Sequence, residues 1–164
     1  MMEELFSNTI KYIRVKNRPT AVPYNYRILY KVTQLMLIIF YCCGNRKGCS
    51  LEKMHMISNA INNKDELNNL LLFIEEKNNN LIIVRFDPVI NRAVGYALAE
   101  NLIIRQANGL FKLSVKGKSC VNEINKDDTL FMREKKIMKS ISFKLTEEKI
   151  KSLILDWRIN NVEN

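Results

Sequence analysis

The sequence predicts a mainly α, α+β fold: a winged helix with a two-stranded wing, an N-terminal arm and C-terminal amphipathic helices. Three observations carry this expectation. Asp87-Pro88 opens a segment of helical apolar spacing, with Asp as N-cap and Pro at the first helical position. Asn108-Gly109 then stands between two short alternating runs, a strong hairpin signal. Helical spacing resumes behind Ser114, a capping residue. Helix, hairpin, helix is the order in which a winged helix closes. The 164 residues, 47% of them apolar and 26% charged, suit one domain with a real core.

Residues 1–24 read as an arm. Phe6, Ile10 and Ile13 keep helical spacing, and the two prolines of NRPTAVP then force an extended path. Residues 25–43 form the first core helix, with Ile28, Val32, Leu35, Ile39 and Cys42 on one stripe. GNRKG at 44–48 breaks it. Ser50 is placed to cap a second helix over 51–61, with Glu52 in its first turn. Asn63, followed by Asp65 and Glu66, starts a third that runs to about residue 77. Asparagines at 78–80 make a polar loop, and IIVRF at 82–86 reads as a short strand.

The helix opened by Asp87-Pro88 runs to about residue 101, and the runs 102–106 and 110–113 make the hairpin. The helix after Ser114 leads into the charged segment beyond Ile124. Two more helices close the chain, at about 130–142 and 146–158. On the last, Ile150, Leu153, Ile154 and Trp157 share one face. The organisation is thus an arm (1–24), a winged-helix domain (25–124) and a C-terminal helical extension (125–164).

The composition excludes several classes. The most apolar run, nine residues at 35–43, falls far short of the roughly 20 needed to cross a bilayer. The first residues, MMEELFSNTIKY, never build the apolar region of a signal peptide. A cytoplasmic protein with reduced cysteines is expected. His55, the one histidine, lies between Met54 and Met56 and reads as a partly buried packing residue rather than a base. Cys42, Cys43, Cys49 and His55 lack the loop spacing of a zinc site, so buried thiols are expected. GNRKGCS lacks the Gly-Lys-Ser/Thr of a phosphate loop and follows a helix instead of a strand. No catalytic, metal or cofactor residues are expected, and the chain reads as a non-enzyme.

The net charge of +9 raises the question of nucleic acid, and its location weighs against it. Residues 1–50 hold eight Lys/Arg against two Asp/Glu, and 111–164 hold twelve against eight. Residues 51–110 hold six against seven, and these include the helix that would read DNA. That helix offers only Asn91 and Arg92, and Glu100 repels phosphate. The hairpin adds Arg105 and Lys112, and the turn at 44–48 adds Arg46 and Lys47. The apolar residues of the helix opened by Asp87-Pro88 (Val89, Ile90, Ala93, Val94, Ala97 and Leu98) are expected mostly in the core. The stripes Phe6/Ile10/Ile13 and Ile150/Leu153/Ile154/Trp157 suit docking in partner grooves, or folding back on the domain itself. Arg85 and Arg92, flanking the Asp87 cap, suit pairing with acidic groups of a partner or of this chain.

An ordered set of motifs adds to this. NRP (17–19), YNYRILYKVTQL (24–35), CGNRKGCSLEKMHMISNAI (43–61), VRFDPVINRAVGYALAENLI (84–103) and GLFKLSVKGK (109–118) together resemble the middle component of bacterial three-component ABC systems. This is the small accessory subunit of Lamassu-type anti-phage defence. The resemblance covers about 17–118; residues 1–16 and 119–164 carry no matching motif. It implies a winged-helix, kleisin-like adaptor in a hetero-oligomer with an SMC- or Rad50-like ATPase and an effector, commonly a nuclease. It implies no catalytic residue in this chain, and DNA contact through the complex. The alternative is a free-standing winged-helix DNA-binding transcriptional regulator.

Overall fold

In the computed structural model, residues 21, 23–76 and 84–162 are described. The arm stripe Phe6, Ile10 and Ile13 and the loop at 78–80 lie outside the described residues, as does the Arg46 side chain. The chain is mainly helical: α1 (Ile28–Lys47), α2 (Leu51–Asn62), α3 (Lys64–Ile74), α4 (Pro88–Ala99), α5 (Val115–Lys126), α6 (Met132–Ile141) and α7 (Glu147–Val162). Strands β1 (Ile103–Arg105) and β2 (Phe111–Leu113) pair antiparallel, with Ile104 opposite Lys112. Cys49 adds a single bridge to Phe111, donating and accepting backbone hydrogen bonds at 2.7 and 2.8 Å.

Five helices start where a side chain satisfies their unpaired N–H groups, α7 among them, since Thr146 accepts from Lys149 N at 3.2 Å. Ser50 accepts from Lys53 N at 3.1 Å, and Asn63 from Asp65 N at 2.8 Å. Asp87 accepts from Val89 N at 2.9 Å, and Ser114 from Gly117 N at 3.0 Å. The α4 helix stops at Ala99 because Asn101 turns left-handed, with φ of 54°. The break after Cys43 is also conformational: Gly44 (φ 66°) and Gly48 (φ 87°) take backbone angles that side chains disfavour.

The α1 helix is the centre of the molecule. It packs against α2, α4, α5, α6 and β2, so every residue from 31 to 39 is buried. The expected single stripe was too narrow, since this helix has no solvent face along that stretch. The C-terminal segment, expected as an extension, shares the same core through Met138, Ile141, Leu145 and Ile150, each at most 1% exposed.

The expected strand at 82–86 needs correction over its described part. Residues 84–86 pair with no strand; the Arg85 carbonyl instead accepts from Asn59 Nδ2 at 3.1 Å. The hairpin turns through a longer loop than Asn-Gly alone would make. Gly109 N bonds Gln106 O at 3.0 Å and Gln106 N bonds Leu110 O at 2.8 Å, with only Gly109 at positive φ. Among the described residues no helix is long and apolar enough to cross a membrane.

Candidate partner-binding surface

The start of α4 is held by a polar chain that crosses the core. Lys31, 2% exposed on α1, donates to Ser58 Oγ at 2.9 Å and stands 3.8 Å from Asp87 Oδ2. Ser58 Oγ donates to Gln34 Oε1 at 2.7 Å, and Gln34 Nε2 reaches the Tyr30 hydroxyl at 3.4 Å. Tyr30 in turn donates to Glu134 on α6 at 3.0 Å. A buried ammonium is tolerable only with such company. Burial lowers the Lys31 pKa, and Asp87 opposes that shift.

His55 continues the chain. Its Nδ1 accepts from Asp87 N at 3.0 Å, and its Nε2 lies 3.1 Å from Asn91 Oδ1. A nitrogen that accepts from a backbone N–H carries no proton, so the ring is the neutral Nε2–H tautomer donating to Asn91. Burial lowers its pKa further, against the raising effect of the Asn91 bond. The expectation of a partly buried packing residue is thereby corrected: His55 is fully buried and bonded at both nitrogens. Phe86 covers it edge-on at 4.9 Å. Asp87 thus caps α4, faces Lys31 and is itself held by His55.

The flanking arginines are surface groups. Arg85 is 66% exposed and 3.7 Å from Glu66, an ion pair of small worth. Arg92 is exposed on α4, with no ion pair among the described residues. On the same helix Ile90, Ala93, Val94 and Ala97 are buried, and Val89 and Leu98 are half-buried.

The nucleic-acid candidates are dispersed. Asn91 is exposed, yet its side-chain oxygen is engaged by His55. Arg105 is exposed and Lys112 half-buried on the hairpin. Lys47 is exposed at the end of α1, where its carbonyl accepts from Gln106 at 3.4 Å. Lys116, whose ammonium reaches the end of α4, is paired with Glu100 at 3.5 Å. The exposed side of α4 therefore presents Asn91, Arg92, Gly95, Tyr96 and Ala99, with Arg92 its one cation.

The C-terminal helix is the more distinctive surface. Ile150 is buried, and Leu153 and Ile154 pack partly against the core, so the expected stripe does fold back along its first half. Beyond that point the apolar residues leave the core: Leu155, Trp157 and Ile159 are 57%, 59% and 58% exposed. Leu155 and Ile159 lie one turn apart, off the predicted stripe, so α7 is apolar on more than one side. A cavity of about 240 Å³ runs beside it, lined by Val84, Phe86, Leu153, Ile154 and Trp157 with Glu52 and Arg158. Of the three, Trp157 lines that groove, while Leu155 and Ile159 form a second exposed apolar patch on another side of the helix. Sequence periodicity found Leu153, Ile154 and Trp157 but missed Val84 and Phe86, which reach the groove from a non-strand segment.

Chemistry is sparse elsewhere. Among the described residues no group of three or more His, Cys, Asp or Glu is arranged to hold a metal ion. Cys42, Cys43, Cys49 and Cys120 are free thiols, the first three buried. Comparisons with protein-family models, with curated proteins and with solved structures found no match to this chain.

Proposed function

We propose that this chain is a non-enzymatic adaptor: a winged-helix, kleisin-like subunit joining an SMC- or Rad50-like ABC ATPase to an effector, in anti-phage defence of the Lamassu type. The observation that carries the adaptor reading is the exposed apolar pair Leu155 and Ile159 on α7, together with the apolar groove on another side of that helix. Full burial of a large apolar side chain is worth roughly 1.5–3 kcal/mol. Covering Leu155 and Ile159, one turn apart on one side of α7, would therefore contribute to a stable complex. Helix-in-groove docking is the mode that fits.

The winged-helix reading is supported by the order α4, β1, β2, α5 and by Cys49. Lying between α1 and α2, Cys49 bridges β2 as a one-residue third strand. The assignment to a defence complex rests on the ordered motifs at 17–118 and on nothing else. DNA contact by the complex is compatible with this chain's +9 charge, but α4 supplies too few cations to hold a duplex alone.

Co-expression with the genes that flank its own, followed by affinity purification, tests this. The adaptor reading expects a coiled-coil ATPase and an effector to co-purify, and the isolated subunit to leave duplex DNA unshifted at physiological salt. Sequence-specific binding of duplex by the isolated chain would favour the transcriptional regulator instead.

A further inference from the structure

The kink at Gly44 opens a second cleft, of about 470 Å³, between the end of α1, Lys53 of α2 and the start of α7. Cys43 lines it and is 7% exposed. Behind it Cys49 is fully buried, and the two thiols lie close enough to influence each other's ionisation. The chain doubles back between them through Gly44 and Gly48, and the Phe111 bridge fixes Cys49 in place. Lys53, itself 4% exposed, is anchored to the Cys42 carbonyl at 2.8 Å, which keeps its ammonium beside the thiols.

We propose that Cys43 is an oxidation-sensitive thiol, that a hydroperoxide reaches it through this cleft, and that the product is a Cys43–Cys49 disulfide. The proposal does not depend on which partner α7 binds. The neighbouring Cys49 thiol, and then Lys53, favour the Cys43 thiolate against the effect of burial and lower its pKa. Its neighbour Cys42 is the opposite case. That thiol donates to Met138 O at 3.5 Å, and burial pushes its pKa up to about 12. Both adjacent cysteines line the cleft, but only Cys43 has any exposure, and their pKa values are shifted in opposite directions.

The steps balance. The Cys43 thiolate attacks one peroxide oxygen, the O–O bond breaks, and the departing oxygen takes up a proton to leave as an alcohol or water. Cys43 becomes a sulfenic acid. The Cys49 sulfur then attacks the Cys43 sulfur, forming S–S, while the sulfenic oxygen leaves with both protons as water. Two thiols are oxidised and one hydroperoxide is reduced.

Peptide mapping of the full chain tests this. The reduced protein is treated with hydrogen peroxide, blocked with iodoacetamide and digested with trypsin without reductant. Trypsin cuts after Arg46 and Lys47, so only a disulfide keeps the Cys43 and Cys49 peptides together. The expected first product is that joined pair, lighter by two hydrogens and separated by reductant. In Cys49→Ala the second step is blocked, and dimedone should label Cys43 in preference to Cys42. Oxidation confined to Cys120, or dimedone labelling of Cys42 ahead of Cys43, would overturn the proposal. So would a peroxide-treated wild-type chain whose Cys43 and Cys49 both remain open to iodoacetamide.

Discussion

His55 makes the stability of this protein sensitive to mild acid in a calculable way. The folded ring accepts a hydrogen bond from Asp87 N at Nδ1, so a second proton there would set two donors against each other. The folded-state pKa is accordingly below the ordinary 6.5. The sign follows from proton counting. Below pH 6.5 the unfolded chain binds a proton that the folded chain refuses, so stability present above 6.5 is lost as the pH falls. The loss approaches about 1.4 kcal/mol per pH unit at most. For a chain of this size 1 kcal/mol moves the melting midpoint by roughly 2–4 °C. Lowering the pH from 7.5 to 5.5 should thus lower the midpoint by at most about 3–6 °C, before carboxylates begin to titrate.

His55→Phe removes the titrating group and leaves the Asp87 N–H unpaired. It should cost about 2 kcal/mol at pH 7.5 and abolish most of the slope between pH 7.5 and 5.5. Because His55 is the only histidine, no other ring can mask the effect. Thermal melts by circular dichroism across that range decide it. A wild-type midpoint that stays flat, or a variant that falls as steeply as the wild type, would refute the assigned tautomer and its hydrogen bonds.

Two further substitutions probe the elements around the site. Asp87→Asn keeps the α4 cap but removes the charge facing Lys31, whereas Asp87→Ala removes both; urea denaturation should show alanine the costlier, by at least about 1 kcal/mol relative to wild type. Gly48→Ala should cost more than about 2 kcal/mol, because φ is 87° and the added carbon would strike the Gln106 amide and come within 2.9 Å of Leu110 Cβ. Gly95→Ala, at a site with nothing within 4 Å, should instead gain about 0.5–1 kcal/mol by the same measurement.

The legible parts of this fold were those written locally. Ser50, Asn63, Asp87 and Ser114 each announce a helix by a side chain that bonds two or three residues ahead, and all four are found capping. The hairpin was likewise marked by Gly109. What periodicity could not show was how many neighbours a helix would have. Lys31 and Gln34 interrupt an apolar run and look like solvent-facing positions. Yet α1 is surrounded, so they turn inward and meet Ser58 and Asp87 from elsewhere in the chain. The role of His55 was hidden for the same reason: its partners are 32 and 36 residues away. At the groove, sequence spacing identified one wall, Leu153, Ile154 and Trp157. The other wall, Val84 and Phe86, lies in backbone without regular structure, where no periodicity exists to be read.

The central claim is that the outer half of α7 docks a partner, and co-elution of the complex on size exclusion tests it most directly. Leu153 is unsuited as a probe, since it packs partly on this chain's own core. Leu155→Asp and Ile159→Asp alter side chains more than half exposed, one turn apart on one side of α7. Together they should leave the subunit's own melting midpoint nearly unchanged while the ATPase or the effector elutes without it. Co-elution of every subunit with the double variant, in the same proportions as with wild type, would contradict docking through this helix.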